Sequence, residues 1–302
     1  MLMSEAEKPL TLPREFLGPP SNFNPTLLMF LAALAMLVLS NCGYWLWEWP
    51  HWASFITNVI ALHIAGTVIH DACHQSASPN RVVNAILGHA SALMLAFAFP
   101  VFVRVHLQHH AHVNDPENDP DHYVSTGGPL WLSPVRFLYH EVFFFQRQLW
   151  RKYELLEWFL SRLFIAAIFY VSIQYHFLGY ILNFWFIPSF VVGIAQGLFF
   201  DYLPHRPHQE RNRWKNARVY PSRILNLLIM GQNYHLIHHL WPAIPWYKWQ
   251  PAYYATKPLL DEKGCYQSLG LRQKKDVQRF LYDFFVGIHF DRHENVQPRA
   301  PL

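Results

Sequence analysis

Charge is what this chain is short of. Only 15% of its 302 residues are Asp, Glu, Lys or Arg, against about 25% in a typical soluble domain, while 52% are hydrophobic and 17% aromatic. The net charge is a modest +4. Its basic residues are not clustered with aromatics as a nucleic-acid platform requires, so DNA and RNA are excluded as partners. Cysteine is equally scarce. Cys42, Cys73 and Cys265 are odd in number and scattered, which rules out a disulfide framework and fits a reducing compartment. Repeats and low-complexity tracts are missing. No signal peptide is expected either. The first apolar run begins near Thr26, after five prolines (Pro9, Pro13, Pro19, Pro20, Pro25), and its roughly 22 residues have the length of a spanning helix rather than a signal core.

Long apolar runs are what the chain does have. They fall at Thr26–Trp47, Trp52–His70, Asn84–Val103 and Phe159–Leu203, the last with room for two crossings around a turn at Gln174–Gly179. At about 20 helical residues per crossing the naive count is five spans. Parity argues for four. Histidine clusters sit at His70–His74, His106–His110 and His235–His239, and a shared site needs all three on one membrane face. A single crossing between His74 and His106 would separate the first two. Asn84–Val103 is therefore expected to form a re-entrant or interfacial helix pair, with both termini on the side of the site.

The expected fold is an all-α integral membrane protein of about four transmembrane helices under a cytoplasmic, histidine-rich cap. A cytoplasmic N-terminal segment (1–25) precedes a single membrane domain (26–290) and a C-terminal tail (291–302). All 24 Lys and Arg avoid the two short turns Glu48–His51 and Gln174–Gly179, and positive residues favour the cytoplasmic face, so the cap is expected there. Trp45, Trp47, Trp49 and Trp52 crowd the first turn, as an interfacial belt would. The segment Asn114–His122 (NDPENDPDH) reads as an acidic, proline-broken loop. Tyr139–Trp158 reads as an amphipathic interfacial helix, and the chain beyond Trp241 as short helices and a loose tail.

The nineteen histidines nearly equal the 20 acidic residues, and they are patterned. In His70-Asp71-Ala72-Cys73-His74 the two imidazoles stand about 40° apart on a helix and face the same way. Alone, such a pair is equally well a solvated helix end. His106, His109 and His110 share a narrow arc of one helix, and His235, His238 and His239 repeat that spacing. Two HxxHH boxes plus one HxxxH at span ends point to metal binding. Eight imidazoles exceed the needs of one zinc, which takes three or four protein ligands, so two metals are implied. Imidazole suits iron, zinc, copper and nickel alike. The membrane setting selects iron with O₂, because hydrocarbon offers no polar group to hydrolyse while activated oxygen attacks C–H bonds.

Around this core stand further candidates. His205 lies where the fourth span leaves the bilayer and is a candidate ligand, with an interfacial histidine as the plainer reading; His208, close by, is a possible further ligand. His112, Asp71, Asp201 and Asn233 flank ligand positions and are expected to orient imidazoles by hydrogen bonding, with an exposed interfacial carboxylate as the alternative for Asp201. His63, two turns before His70, is expected to line the substrate cavity or to be buried for structural reasons. His51, His89, His122, His140, His176, His289 and His293 default to solvent, interface or packing.

The boxes HDACH, HLQHHAH and HLIHH resemble those of the membrane fatty-acid desaturase and hydroxylase superfamily. From Arg14 to His289 the chain is similar to the desaturase-like β-carotene hydroxylases of cyanobacteria, through EFLGPPSNFNPTLLMF, GTVIHDACH, FPVFVRVHLQHHAHVNDPENDPDHYVSTGGPLW and YLPHRPH. The resemblance implies 3-hydroxylation of β-ionone rings, from β-carotene through cryptoxanthin to zeaxanthin. It also implies two iron ions, O₂ as co-substrate, a ferredoxin-like electron donor, and a thylakoid or plasma membrane as home. Carried over by position, the ligands are His70, His74, His106, His109, His110, His205, His235, His238 and His239. Cys73 departs from the small residue similar enzymes often have, off the ligand face. The same histidines would serve acyl-lipid desaturation or ring ketolation. A histidine-rich metal transporter is a more distant alternative, disfavoured because its sites would lie near the bilayer midplane.

Overall fold

The computed structural model describes residues 12–19, 23–271 and 273–289; His293 and the expected tail 291–302 lie outside them, as does most of the N-terminal segment. Helix α1 (Pro25–Leu46) starts where Asn24 Oδ1 accepts the Leu27 amide at 3.1 Å and Pro25 occupies the first helical position, where its missing N–H costs nothing. Helix α2 (His51–Cys73) returns beside it. The Trp49 indole fills the space a β-carbon on Gly43 would need, which closes the hairpin. Within the pair, the Ser40 and Ser54 hydroxyls donate to each other's carbonyls, so neither hydroxyl is left unpaired in the apolar setting.

Helices α3 (Arg81–Met94) and α4 (Phe99–His112) meet at a 99° bend. Fourteen residues reach about 21 Å, short of the roughly 30 Å hydrocarbon core, so neither crosses alone. The Phe99 ring lodges against Gly88 and holds the elbow. The pair leaves from His74 and brings His106 back beside it, which is the geometry of a re-entrant pair.

Helix α5 (Pro120–Thr126) is capped by Asp119, and α6 (Tyr139–Gln146) follows. The interfacial helix expected over Tyr139–Trp158 is broken at Arg147–Arg151. There Glu154 accepts the Arg151 amide at 2.7 Å and opens α7 (Lys152–Gln174), the third long apolar helix. The charges that read as an amphipathic face have other partners. Arg104 of α4 forms a two-pronged pair with Glu154, and Glu141 binds Arg162 and Trp158.

The fourth long helix, α8 (Leu178–His205), is 28 residues and contains two π-helical turns, Leu182–Phe186 and Gly197–Tyr202. Four helices, α1, α2, α7 and α8, are thus long and apolar enough to cross a membrane. Beyond them the chain builds a cap from α9 (His235–Leu240), α10 (Trp249–Glu262) and α11 (Lys274–Phe285). Its core is Val219, Tyr234, Leu236, Ile237, Trp249 and Leu260. Among the described residues there is no strand, only an isolated bridge between Arg218 and Tyr266. The protein is all-α.

Candidate metal centre

Four elements end at one place. His70 and His74 close α2, His106, His109 and His110 close α4, His205 closes α8, and α9 supplies His235, His238 and His239. Helix α9 is aimed by Gly231, whose φ of +86° only glycine adopts freely and against which the Trp249 ring packs. His70, His74, His106 and His238 each present a ring nitrogen, all within 4.8 Å of one another; His109, His205, His235 and His239 form a second such group. Nitrogens sharing one ion stand roughly 3 to 4 Å apart, so each group has the size of one coordination sphere. His110 stands between the two. Its Nε2 lies 2.8 Å from His238 Nε2 and 3.1 Å from His106 Nε2, and its ring stacks on His239 at 4.3 Å.

The donor set fits metal ions. Both ring nitrogens of His70, Nε2 of His74 and of His205, and Nδ1 of His238 are buried without a hydrogen-bond partner. Nε2 of His239 instead faces Nε2 of His235 at 2.9 Å. Burying imidazole lone pairs that have no donor is costly, and a cation in each group would take up one nitrogen from each of its four imidazoles.

A fatty acid desaturase family model matches residues 47–269, which include every one of these histidines. The chain belongs to the fatty acid desaturase family. It is 31% identical to a beta-carotene ketolase of Paracoccus sp. (strain PC1), over 60% of this chain and 70% of that protein. It is 28% identical to the dihydrorhizobitoxine desaturase of Bradyrhizobium elkanii, covering 60% of each. With an sn-1 oleoyl-lipid 12-desaturase of Picosynechococcus sp. it shares 24% identity over 82% of this chain and 80% of the relative. The protein is accordingly a membrane oxidoreductase of the carotenoid-modifying or desaturase type.

In this desaturase-family site three imidazoles are held from behind. His109 Nδ1 donates to Asp119 Oδ1, His235 Nδ1 to Gln232 Oε1, and His205 Nδ1 to the Asn216 carbonyl, each at 2.9 Å. Each bond fixes the tautomer that leaves Nε2 as the inward donor. Burial and neighbouring imidazoles push His235, His238 and His239 well below the usual histidine value, which keeps them neutral. His109 goes the other way. Burial acts downward on it, but the Asp119 and Asp121 carboxylates outweigh that and raise it to about 9. Asp121 is itself held below the carboxylate range: burial acts upward, and His109 and His140 prevail.

Several expected orienting residues face elsewhere. The Asp71 carboxylate accepts from Thr26 Oγ1 at 2.8 Å and the Trp246 amide at 3.2 Å, tying α1 and the cap to α2. Asn233 donates to the Tyr220 and Ser222 carbonyls and so shapes the turn before α9. His112 is half-buried and outside both nitrogen groups. His208 is buried near the Tyr202 and His122 rings, also outside both groups. His63 does not line the cleft described next; its Nε2 donates to the Leu228 carbonyl at 3.1 Å. Of the residues that do stand behind the imidazoles, Asp119 lies in the segment that read as an acidic loop, and Gln232 was not singled out. His140, expected at a surface or in packing, is buried with Nε2 2.8 Å from Asp121 Oδ1.

A narrow, mostly apolar cleft runs to the ligands between α2, the α3–α4 elbow and α8. Ile69, Leu95, Phe97, Phe102, Phe137 and Phe200 form its walls, and His70, His106, His109 and His235 meet it at the inner end. Asp201 opens on it as well.

Proposed function

We propose that this protein hydroxylates carotenoid β-ionone rings at C3, turning β-carotene through cryptoxanthin into zeaxanthin. The observation that carries the reading is the convergence of two four-imidazole groups on the inner end of an apolar cleft. The motif segments that resemble those of desaturase-like β-carotene hydroxylases support this choice of substrate. In this reading His70, His74, His106 and His238 hold one iron, His109, His205, His235 and His239 the other, and His110 joins them from between. Two bound ferrous ions supply reductive activation of O₂ for attack on a C–H bond. The balanced change is R–H + O₂ + 2 e⁻ + 2 H⁺ → R–OH + H₂O, with electrons from a ferredoxin-like donor.

The chain's own tasks are steric and electrostatic. The phenylalanine walls bind the ring by apolar burial and exclude water from the inner end. Asp119 and Gln232 fix the imidazoles so that ligand geometry survives turnover. A long polyene remains in the bilayer and enters laterally, with its ring directed toward the metals between the spans. The avoidance of both short turns by Lys and Arg supports a cytoplasmic site; a thylakoid or plasma membrane is the proposed location. Arg211, Arg213, Lys215 and Arg218 offer a basic approach for an acidic donor.

Ketolation at the neighbouring ring carbon is the second reading, favoured by the beta-carotene ketolase relative; acyl-lipid desaturation is the third. Expression in a β-carotene-accumulating host that supplies ferredoxin, with pigments resolved by chromatography and mass spectrometry, separates them. One hydroxyl per ring, absent without oxygen, is the expected result. Ring ketones would support ketolation, and unchanged pigment with altered lipid unsaturation would support desaturation.

A further inference from the structure

The cleft is not uniformly apolar. Beside His109, three ionisable side chains border it: Asp121 from α5, His140 from α6 and Asp201 from α8. All are more than nine-tenths buried, at 6%, 5% and 9% exposure. The ion-pair contact between His140 Nε2 and Asp121 Oδ1 links two of them. That contact lacks hydrogen-bond geometry, so both ring nitrogens of His140, like Asp201 Oδ2, have no hydrogen-bond partner. Asp201 lies in the π-helical turn Gly197–Tyr202, a distortion that re-aims side chains and recurs at functional sites. Phe137 and Phe97 pack against the His140 ring, at 5.3 and 6.3 Å between ring centres, and Phe200 also lines the cleft.

A buried polar atom without a partner is destabilising, and ligation of the imidazoles does not relieve those of His140 and Asp201. A bare hydrocarbon ring would not relieve them either. A hydroxyl does both jobs at once, since it donates to the Asp201 carboxylate and accepts from a His140 N–H. We propose that Asp201 and His140 form a hydroxyl-binding subsite, so that the cleft takes rings already bearing a hydroxyl in preference to bare ones. This rests on the proposed function, and it deepens it by naming the substrate class. Rings that already carry oxygen, supplied by an earlier ring oxidation, are the better ligands.

The test is equilibrium binding, read by quenching of tryptophan fluorescence in the metal-loaded, detergent-solubilised protein. Three probes are compared: a carotenoid with bare β-rings, one with a hydroxyl at C4 of the ring, and the methyl ether of that alcohol. The expected result is affinity for the alcohol about tenfold above both others, because a site built to pair a hydroxyl discriminates strongly against analogues lacking it. Asp201→Leu and His140→Phe should each erase that preference. Equal binding of alcohol and bare ring by the unaltered protein would overturn the subsite while leaving the proposed function standing, and needs no variant to fold. A preference that persists in both variants would overturn it too. Binding of none of the three probes would overturn subsite and proposed function together.

Discussion

His109 donates through Nδ1 to Asp119 at 2.9 Å, and the same ring's Nε2 lies 3.4 Å from Nε2 of His239. One bond on the outer edge of the imidazole therefore sets what the inner edge presents. Asp119 also accepts the amides of Asn114 and Asp121, so a single carboxylate shapes the loop and aims the ligand. Asp119→Asn keeps an acceptor for the amides but weakens the bond to His109. Metal affinity of the second nitrogen group should fall about 10- to 100-fold, measured by iron titration of the metal-free protein.

The two nitrogen groups are separately addressable. His238→Ala removes a nitrogen from the first and His205→Ala one from the second. Each purified variant should carry about one iron rather than two and lose ring oxidation. Retention of both ions by either variant would break the assignment of ligands to groups.

Acid should strip the centre. His235, His238 and His239 are held below the free value of 6.5 in the folded protein, so below that pH the unfolded chain binds more protons than the folded one. Their contribution to stability is present above about pH 6.5 and is lost as pH falls below it. His109, raised to about 9, has the opposite sign: its contribution is present below 6.5 and lost as pH rises through 9. Thermal unfolding of the metal-free protein should therefore move down in temperature from pH 7 to pH 5, and bound iron should be released over the same range. A melting temperature that rises on acidification would contradict this.

The elbow between α3 and α4 depends on a missing side chain. Gly88→Val places methyl groups where the Phe99 ring lies, and overpacking of that kind costs about 1–3 kcal/mol. Because α4 carries His106, His109 and His110, iron content should fall together with melting temperature. Gly179→Ala, which meets nothing within 4 Å, should change neither.

The gathering of the box histidines was legible because helical periodicity puts nitrogens at i, i+3 and i+4 on one face, and the structure brings those faces together. The re-entrant pair was legible for a topological reason, since His74 and His106 must meet. The outer ring of partners was not. Asp71 and Asn233 are next to ligands in sequence, but adjacency along a helix turns a side chain about 100° away, and both bond elsewhere. Asp119 lies ten residues from His109, in a segment whose composition is equally that of a solvated loop. Gln232 carries no charge to mark it, and His140 becomes a site residue only because α6 packs beside α4 and α5.

The π-helical turn at Gly197–Tyr202 leaves a phase offset in α8. An α-helix advances about 100° per residue, and the wider turn holds the residues after it out of step with those before. A lineage that kept all six residues of Gly197–Tyr202 but wound them as plain α-helix would turn everything after them by about one residue's rotation, roughly 100°. His205 would then swing away from His109 and His235 while every histidine box stayed intact. Comparing such enzymes by counting residues between boxes would miss the change. The winding of this one segment is as much an inherited trait as the histidines it serves.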